Sequence, residues 1–204
     1  MKKILCFGDS NTYGYIPATG KRYPKSERWS GILAELLYDF EVIEEGMNNR
    51  KGFFAAPEGI EFCGVKFLPV CLQKHKDIDI CILALGTNDS QFFFNLNREN
   101  TEKGLQHLID CILQANPSSK IIIIPPVKIT ENILKTHFSM MFNKASIEKI
   151  CEVFPIFKEI ADKNHCLYLD LNEFVSPSEI DGLHYEKEPH KIIAQTLAEL
   201  IKTI

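Results

Sequence analysis

What most constrains the fold of this chain is an alternation between two hydrophobic periods. Short apolar runs at 3–7 (KILCF), 41–46 (EVIEEG), 78–86 (IDICILALG), 120–126 (KIIIIPP) and 166–171 (CLYLDL) read as strands. Segments of helical period lie between them. In 27–40 (ERWSGILAELLYDF), Trp29, Ile32, Leu33, Leu36 and Leu37 share one face, as do Leu105, Leu108, Ile109, Ile112 and Leu113 further on. Strands that alternate with helices pair in parallel, because each crossover helix returns the chain to the same end of the sheet. "KIIIIPP" and "CLYLDL" read as central strands. The last helix is expected to start at Pro189, favoured at a first helical position, and to align Ile193, Leu197, Leu200, Ile201 and Ile204. Residues 48–75 carry glycines, prolines and aromatics without a clean period, and read as a long irregular connection with room for one hairpin or short helix. In 127–165 the second half is helical and the first is rich in Phe and Met. The expectation is a doubly wound α/β domain over residues 1–204, with five parallel strands, about five helices, and no linker or repeat.

At 204 residues the chain can bury a full core as one domain. Its 45% hydrophobic and 25% charged residues belong to an ordinary globular protein, not a disordered one. A net charge of −4 offers no broad positive field for a phosphate backbone, which argues against nucleic acid as a partner. No apolar run approaches the roughly 20 residues that span a bilayer. The opening "MKKILCFGDS" has only about five apolar residues in a row, short of a signal peptide, and reads as the first strand of a cytoplasmic protein. Cys6, Cys63, Cys71, Cys81, Cys111, Cys151 and Cys166 are odd in number and form no Cys-x-x-Cys pair, so they read as reduced, most of them small core residues in apolar stretches. Asn88, Asp89 and Ser90 spell a glycosylation sequon that has no meaning without secretion.

Ligands of such sheets bind at the carboxyl ends of the strands. Four of the loops there carry polarising groups: "GDS" after the first strand, "EEGMNNR" after the second, "GTND" after the third and "DGLH" (181–184) after the fifth. Each has a plain reading by itself, since Asp, Ser and Asn cap helices and turns. Together they place a serine, a histidine, an acid and amide donors on one edge. A hydroxyl becomes a nucleophile when an imidazole takes its proton, and the imidazole needs a carboxylate to fix its tautomer. Ser10, His184 and Asp181 supply these parts, and the loop 172–188 is long enough to lean across the sheet. Asn88 offers a side-chain donor for an oxyanion, and backbone N–H groups of Ser10 and of the "GMNNR" loop can add two more.

With these residues in view, the chain resembles the SGNH (GDSL-type) hydrolase superfamily, whose blocks match in order: "FGDS" for its serine, "GTND" for its asparagine and "DGLH" for its Asp-x-x-His pair. "FGDSNTYGYIP", "RYPKSERWSGILAEL", "VIEEGMNNR" and "LPVCLQKHKDIDICILALGTND" bring it nearest to the arylesterase and acyltransferase branch. The resemblance implies a flavodoxin-like three-layer fold, ester hydrolysis by serine without metal or cofactor, and a catalytic triad of Ser10, Asp181 and His184. It also implies a three-part oxyanion hole from the N–H groups of Ser10 and Asn49 and the side chain of Asn88. The family's usual Gly or Ala before the arginine is Asn49 here, its usual Thr after it is Lys51, and its usual Trp of the "GW-x-P" stretch is Tyr15.

The expected substrate is a small acyl ester, hydrolysed or transferred, with aryl esters, carbohydrate acetates, phospholipids and thioesters all open. Rival readings are a metal-dependent phosphoesterase built on Asp9, Asp89, Asp181 and His184, a nucleotide-binding module, and a hydrolase-like binder without turnover. No Asp-x-His or Gly-Asn-His ligand pair supports the first. "GYIPATGKRY" fails the phosphate-loop spacing by one residue and has Arg22 where Ser or Thr is needed. The segments 92–97 and 137–143 read as pocket wall, lid, subunit contact in a homo-oligomer, or plain core. Because a neutral His184 must accept the serine proton, acyl transfer is expected to fall below about pH 6.5, the unperturbed imidazole value. A pH–rate profile that stays flat to roughly pH 4 would remove His184 from that role.

Overall fold

The computed structural model describes residues 1–204 and arranges the apolar runs as one all-parallel sheet in the order β2-β1-β3-β4-β5. The strands are β1 Lys2–Gly8, β2 Phe40–Gly46, β3 Ile80–Ala84, β4 Lys120–Ile124 and β5 Leu167–Tyr168. The helices are α1 Ser10–Tyr13, α2 Trp29–Leu36, α3 Gly64–Lys74, α4 Arg98–Ala115, α5 Lys144–Lys163 and α6 Lys187–Ile201. The chain winds outward from β1 to β2, then crosses back to β3 and on to β5. That reversal makes β1 and β3 the strands beside the switch point, where loops diverge and leave a crevice. Ser10 follows β1 and Asn88 follows β3, so two chemistry-bearing loops open on it.

The strands read as continuous apolar runs because both faces are covered. Ile4, Cys6, Ile80, Ile82, Ile122 and Ile124 enter a core of 24 residues with Trp29 and Leu33 of α2 and Ile193 and Leu197 of α6. Their neighbours Leu5, Phe7, Cys81, Leu83, Ile121 and Ile123 enter a second core of 21 residues with Leu68 of α3, Leu108 of α4 and Phe157 of α5. Each fully buried Leu or Ile contributes about 1.5–3 kcal/mol over leaving it in water, so these two layers hold the sheet in place.

Four details differ from the expectation. "CLYLDL" is not a central strand but an edge one with two paired residues, half-buried because it has a neighbour on one side only. Within 48–75 there is an eleven-residue helix, α3, whose signal in the sequence is broken by Pro69. That proline gives up the bond to the Val65 carbonyl, yet Leu68, Cys71 and Leu72 still face the core. Helix α6 begins at Lys187, so Pro189 is its third residue, equally tolerated because first-turn N–H groups have no partner to lose. Leu36 and Ile204 are exposed instead of sharing their helix faces.

α2 and α6 are also joined by a buried polar contact: His190 Nδ1 accepts the Trp29 N–H at 3.3 Å, and its Nε2 has no partner. Burial pushes the imidazole down to about 4, with His184 nearby adding a smaller push in the same direction. Between about pH 6.5 and 4 the unfolded chain binds a proton that the folded chain refuses, so this group makes stability fall as pH falls through that window. The His190→Gln variant keeps an acceptor for Trp29 and removes the titration. Urea unfolding should show the wild type losing about 3 kcal/mol more than the variant between pH 7 and pH 4.

Candidate active site

Strand β1 stops at Gly8 because the chain turns back on itself there. A Cβ at Gly8 would sit 2.0 Å from Thr12 Oγ1 and 2.8 Å from the Ala84 carbonyl, so only glycine lets α1 fold against the strand end. Asp9 caps the helix, its carboxylate accepting the Asn11 N–H at 3.0 Å. Burial pushes the Asp9 carboxyl up to about 6 against that hydrogen bond. Ser10 is thereby the first residue of a one-turn helix, held rigidly and 8% exposed.

The loop before α6 brings the other partners across the sheet. His184 Nε2 lies 2.9 Å from Ser10 Oγ, and His184 Nδ1 lies 2.8 Å from Asp181 Oδ2. Asp181 Oδ1 accepts the N–H groups of Leu183 and His184 at 3.0 and 2.9 Å, and its Oδ2 also accepts the Ala18 N–H at 3.1 Å. Burial alone would raise the Asp181 carboxyl, but the imidazole and the backbone donors outweigh it and hold the group below its ordinary value. The ionised carboxylate assigns the proton of His184 to Nδ1 and leaves the Nε2 lone pair facing the serine. Tyr15 packs on the His184 ring with centroids 4.3 Å apart, and Phe138 at 5.3 Å, so the imidazole is walled by aromatic carbon.

Asn11, which the spacing of the motifs did not single out, joins these two regions. Its Nδ2 donates to the Leu183 carbonyl at 3.2 Å and its Oδ1 accepts the Tyr185 N–H at 3.1 Å, gripping the chain on both sides of His184. Its own carbonyl accepts the Trp29 indole N–H at 3.0 Å.

The loops after β2 and β3 leave from strands tied to the end of β1, where the Met47 N–H donates to the Gly8 carbonyl at 3.1 Å and the Asp9 N–H to the Ala84 carbonyl at 3.3 Å. Asn49 sits in the left-handed region at φ 60, where asparagine is tolerated, and its backbone N–H has no protein partner. Asn88 Nδ2 donates to the Arg50 carbonyl at 3.1 Å. Asp89, fully buried, accepts the Gly52 and Phe53 N–H groups at 2.6 and 2.8 Å. Burial lifts its carboxyl to about 6 despite those bonds. Arg50 was not foreseen: its buried guanidinium donates to the carbonyls of Gly8, Glu45 and Glu61 and stacks over Phe7 at 4.3 Å. The signal that could have found it is an arginine in the polar loop directly after a strand.

The carboxylates of the metal reading are not gathered around one point. Asp89 is spent on backbone donors and Asp181 on His184 and Ala18, while Asp9 serves as a cap. A separate trio, Glu45, Cys71 and His75, has donor atoms within 4.8 Å of one another, but Glu45 already binds His75 at 2.7 Å and Lys74 at 3.3 Å. The aromatic segments divide: Phe138 and Phe142 are core, whereas Phe92, Phe93 and Met140 are exposed.

Replacing Asn11 by Ala orphans the buried Leu183 carbonyl and Tyr185 N–H, at about 1–3 kcal/mol each. Urea unfolding should record that loss, and labelling of Ser10 by a fluorophosphonate should slow about tenfold or more as His184 loses its place. Labelling at the wild-type rate would show that His184 needs no such grip.

The GDSL-like lipase/acylhydrolase family matches residues 6–192. Among solved structures, the native aryl esterase of Mycobacterium smegmatis superposes with a TM-score of 0.91 at 28% identity, over 100% of this chain and 99% of that one. Est24, a carbohydrate acetylesterase from Sinorhizobium meliloti, does so with 0.91 at 27% identity, over 100% and 99%. No curated protein sequence matches the chain. The five-stranded parallel sheet thus superposes on those of known ester hydrolases, and the chain belongs to the GDSL-like lipase/acylhydrolase family.

Proposed function

We propose that residues 1–204 work as one cytoplasmic serine esterase domain that cleaves short acyl esters through an acyl-enzyme. The observation that carries this is the hydrogen-bonded line from Ser10 Oγ through His184 to Asp181, with 2.9 and 2.8 Å links. Ser10 Oγ attacks the ester carbonyl carbon while its proton passes to His184 Nε2. The carbonyl electron pair moves onto oxygen, and the N–H groups of Ser10 and Asn49 with Asn88 Nδ2 receive that negative charge. Collapse of this intermediate breaks the bond to the alcohol, which leaves with the proton from His184. Water, or a second alcohol in acyl transfer, then repeats the sequence on the acyl-enzyme and restores Ser10. Asp181 stays ionised throughout, orienting the imidazole and offsetting its positive charge.

Short acyl groups suit a site walled by Tyr15 and Phe138 close against the imidazole. Aryl and acetylated carbohydrate esters come first among candidates, since the similar structures act on these classes. A reducing compartment suits seven cysteines that are all unpaired. No helix is long and apolar enough to cross a membrane.

Hydrolysis of a p-nitrophenyl ester series from acetate upward should favour the shortest chains and disappear in Ser10→Ala. Asn88→Ala should reduce kcat by roughly 100- to 1,000-fold. Full turnover by Ser10→Ala, or loss of turnover with a chelator, would sink this reading.

A further inference from the structure

Two of the three places where this chain departs from its family, Asn49 and Lys51, belong to one hydrogen-bonded chain that ends on Asn88. Gln91, buried in the turn after β3, donates through Nε2 to Asn49 Oδ1 at 2.8 Å and to Asn88 Oδ1 at 3.2 Å. Asn49 Nδ2 donates onward to Glu58 Oε1 at 3.0 Å, and the same oxygen takes Lys51 Nζ at 3.0 Å. The Lys51 side chain is 2% exposed.

The orientation of all three amides follows from the two ends. The Arg50 carbonyl can only accept, so Asn88 must turn its NH2 toward it and its oxygen away. The Glu58 carboxylate, held ionised below its ordinary value against its partial burial by hydrogen bonds that include those from Lys51 and Asn49, can also only accept, so Asn49 must present its NH2 there. Both asparagine oxygens then face Gln91, which satisfies them with one NH2 group. A flip of any member would set oxygen against oxygen. Asn88 has one amide hydrogen committed to Arg50, which leaves the second for an incoming oxyanion. Asn49 sits at φ 60 with its side chain tied at both ends, and its backbone N–H has no protein partner.

We propose that Gln91 is a positioning residue for the oxyanion-binding groups, and that the Lys51–Glu58–Asn49 chain anchors it, replacing the small residue and threonine usual in the family. The proposal rests on Asn88 and Asn49 being those groups, as read above. It makes Gln91 matter to the transition state, where charge sits on the oxygen, and little to ground-state binding.

The test is steady-state hydrolysis of p-nitrophenyl acetate by Gln91→Ala, Asn49→Gly and the double variant, with thermal melting as the folding control. Each single variant should lower kcat by about 10- to 100-fold with little change in KM and no shift of the pH–rate midpoint, because the Ser10–His184 pair is untouched. The double variant should be no worse than the poorer single one, since both cut the same chain. Asn49→Gly carries the test if Gln91→Ala does not fold, because glycine is unstrained at φ 60 and keeps the backbone N–H. Folded variants with unchanged kcat, losses that multiply in the double variant, or losses confined to KM would overturn the proposal alone. Ser10→Ala or Asn88→Ala with undiminished turnover would overturn the reading beneath it.

Discussion

The carboxyl edge of this sheet depends on one buried cation. Arg50 is 1% exposed and its partners are carbonyl oxygens from the ends of β1 and β2 and from the turn before α3, together with the faces of Phe7 and Phe67. A guanidinium suits the position because its planar fork reaches several acceptors at once and its faces tolerate aromatic rings. Burial pushes it down to about 10, which leaves it charged at neutral pH. The cost of desolvating that charge is offset only while all three segments stay in register. Arg50 therefore fixes the loop that carries Asn49 relative to the strand that delivers Ser10.

Two polar ties then complete the site around this centre. Asp89 pins the far end of the same loop through the Gly52 and Phe53 N–H groups, and Asn11 pins the loop that carries His184. Residues far apart in the chain are thus located against one another by backbone hydrogen bonds to buried side chains. This is the arrangement that a preorganised site requires, since the supporting contacts are in place before substrate arrives.

The strands were legible because a parallel sheet covered on both faces leaves an unbroken apolar record, and Ile121–Ile124 could hardly be anything else. The convergence of Ser10, His184 and Asp181 was legible because their motifs fall after strands, at the edge where ligands of such sheets bind. Helix α3 was hidden because Pro69 reads as a breaker, although one lost hydrogen bond is small beside the burial of Leu68, Cys71 and Leu72. The supporting residues were hidden for another reason. Asn11, Arg50 and Gln91 act through contacts 172, 42 and 42 positions away, and no periodicity encodes the partner of a polar side chain.

The segment that walls the imidazole also touches its counter-ion. Tyr15 lies on the His184 ring, and three residues later the Ala18 N–H donates to the Asp181 oxygen that holds Nδ1. Ala18 is itself in the left-handed region at φ 57, so its N–H direction depends on the whole turn between α1 and α2. Reshaping that turn would therefore move the ring that covers His184 and the N–H that holds Asp181 together. In this chain, one short segment sets both the aromatic wall of His184 and a hydrogen bond to its carboxylate partner, so neither can be changed alone.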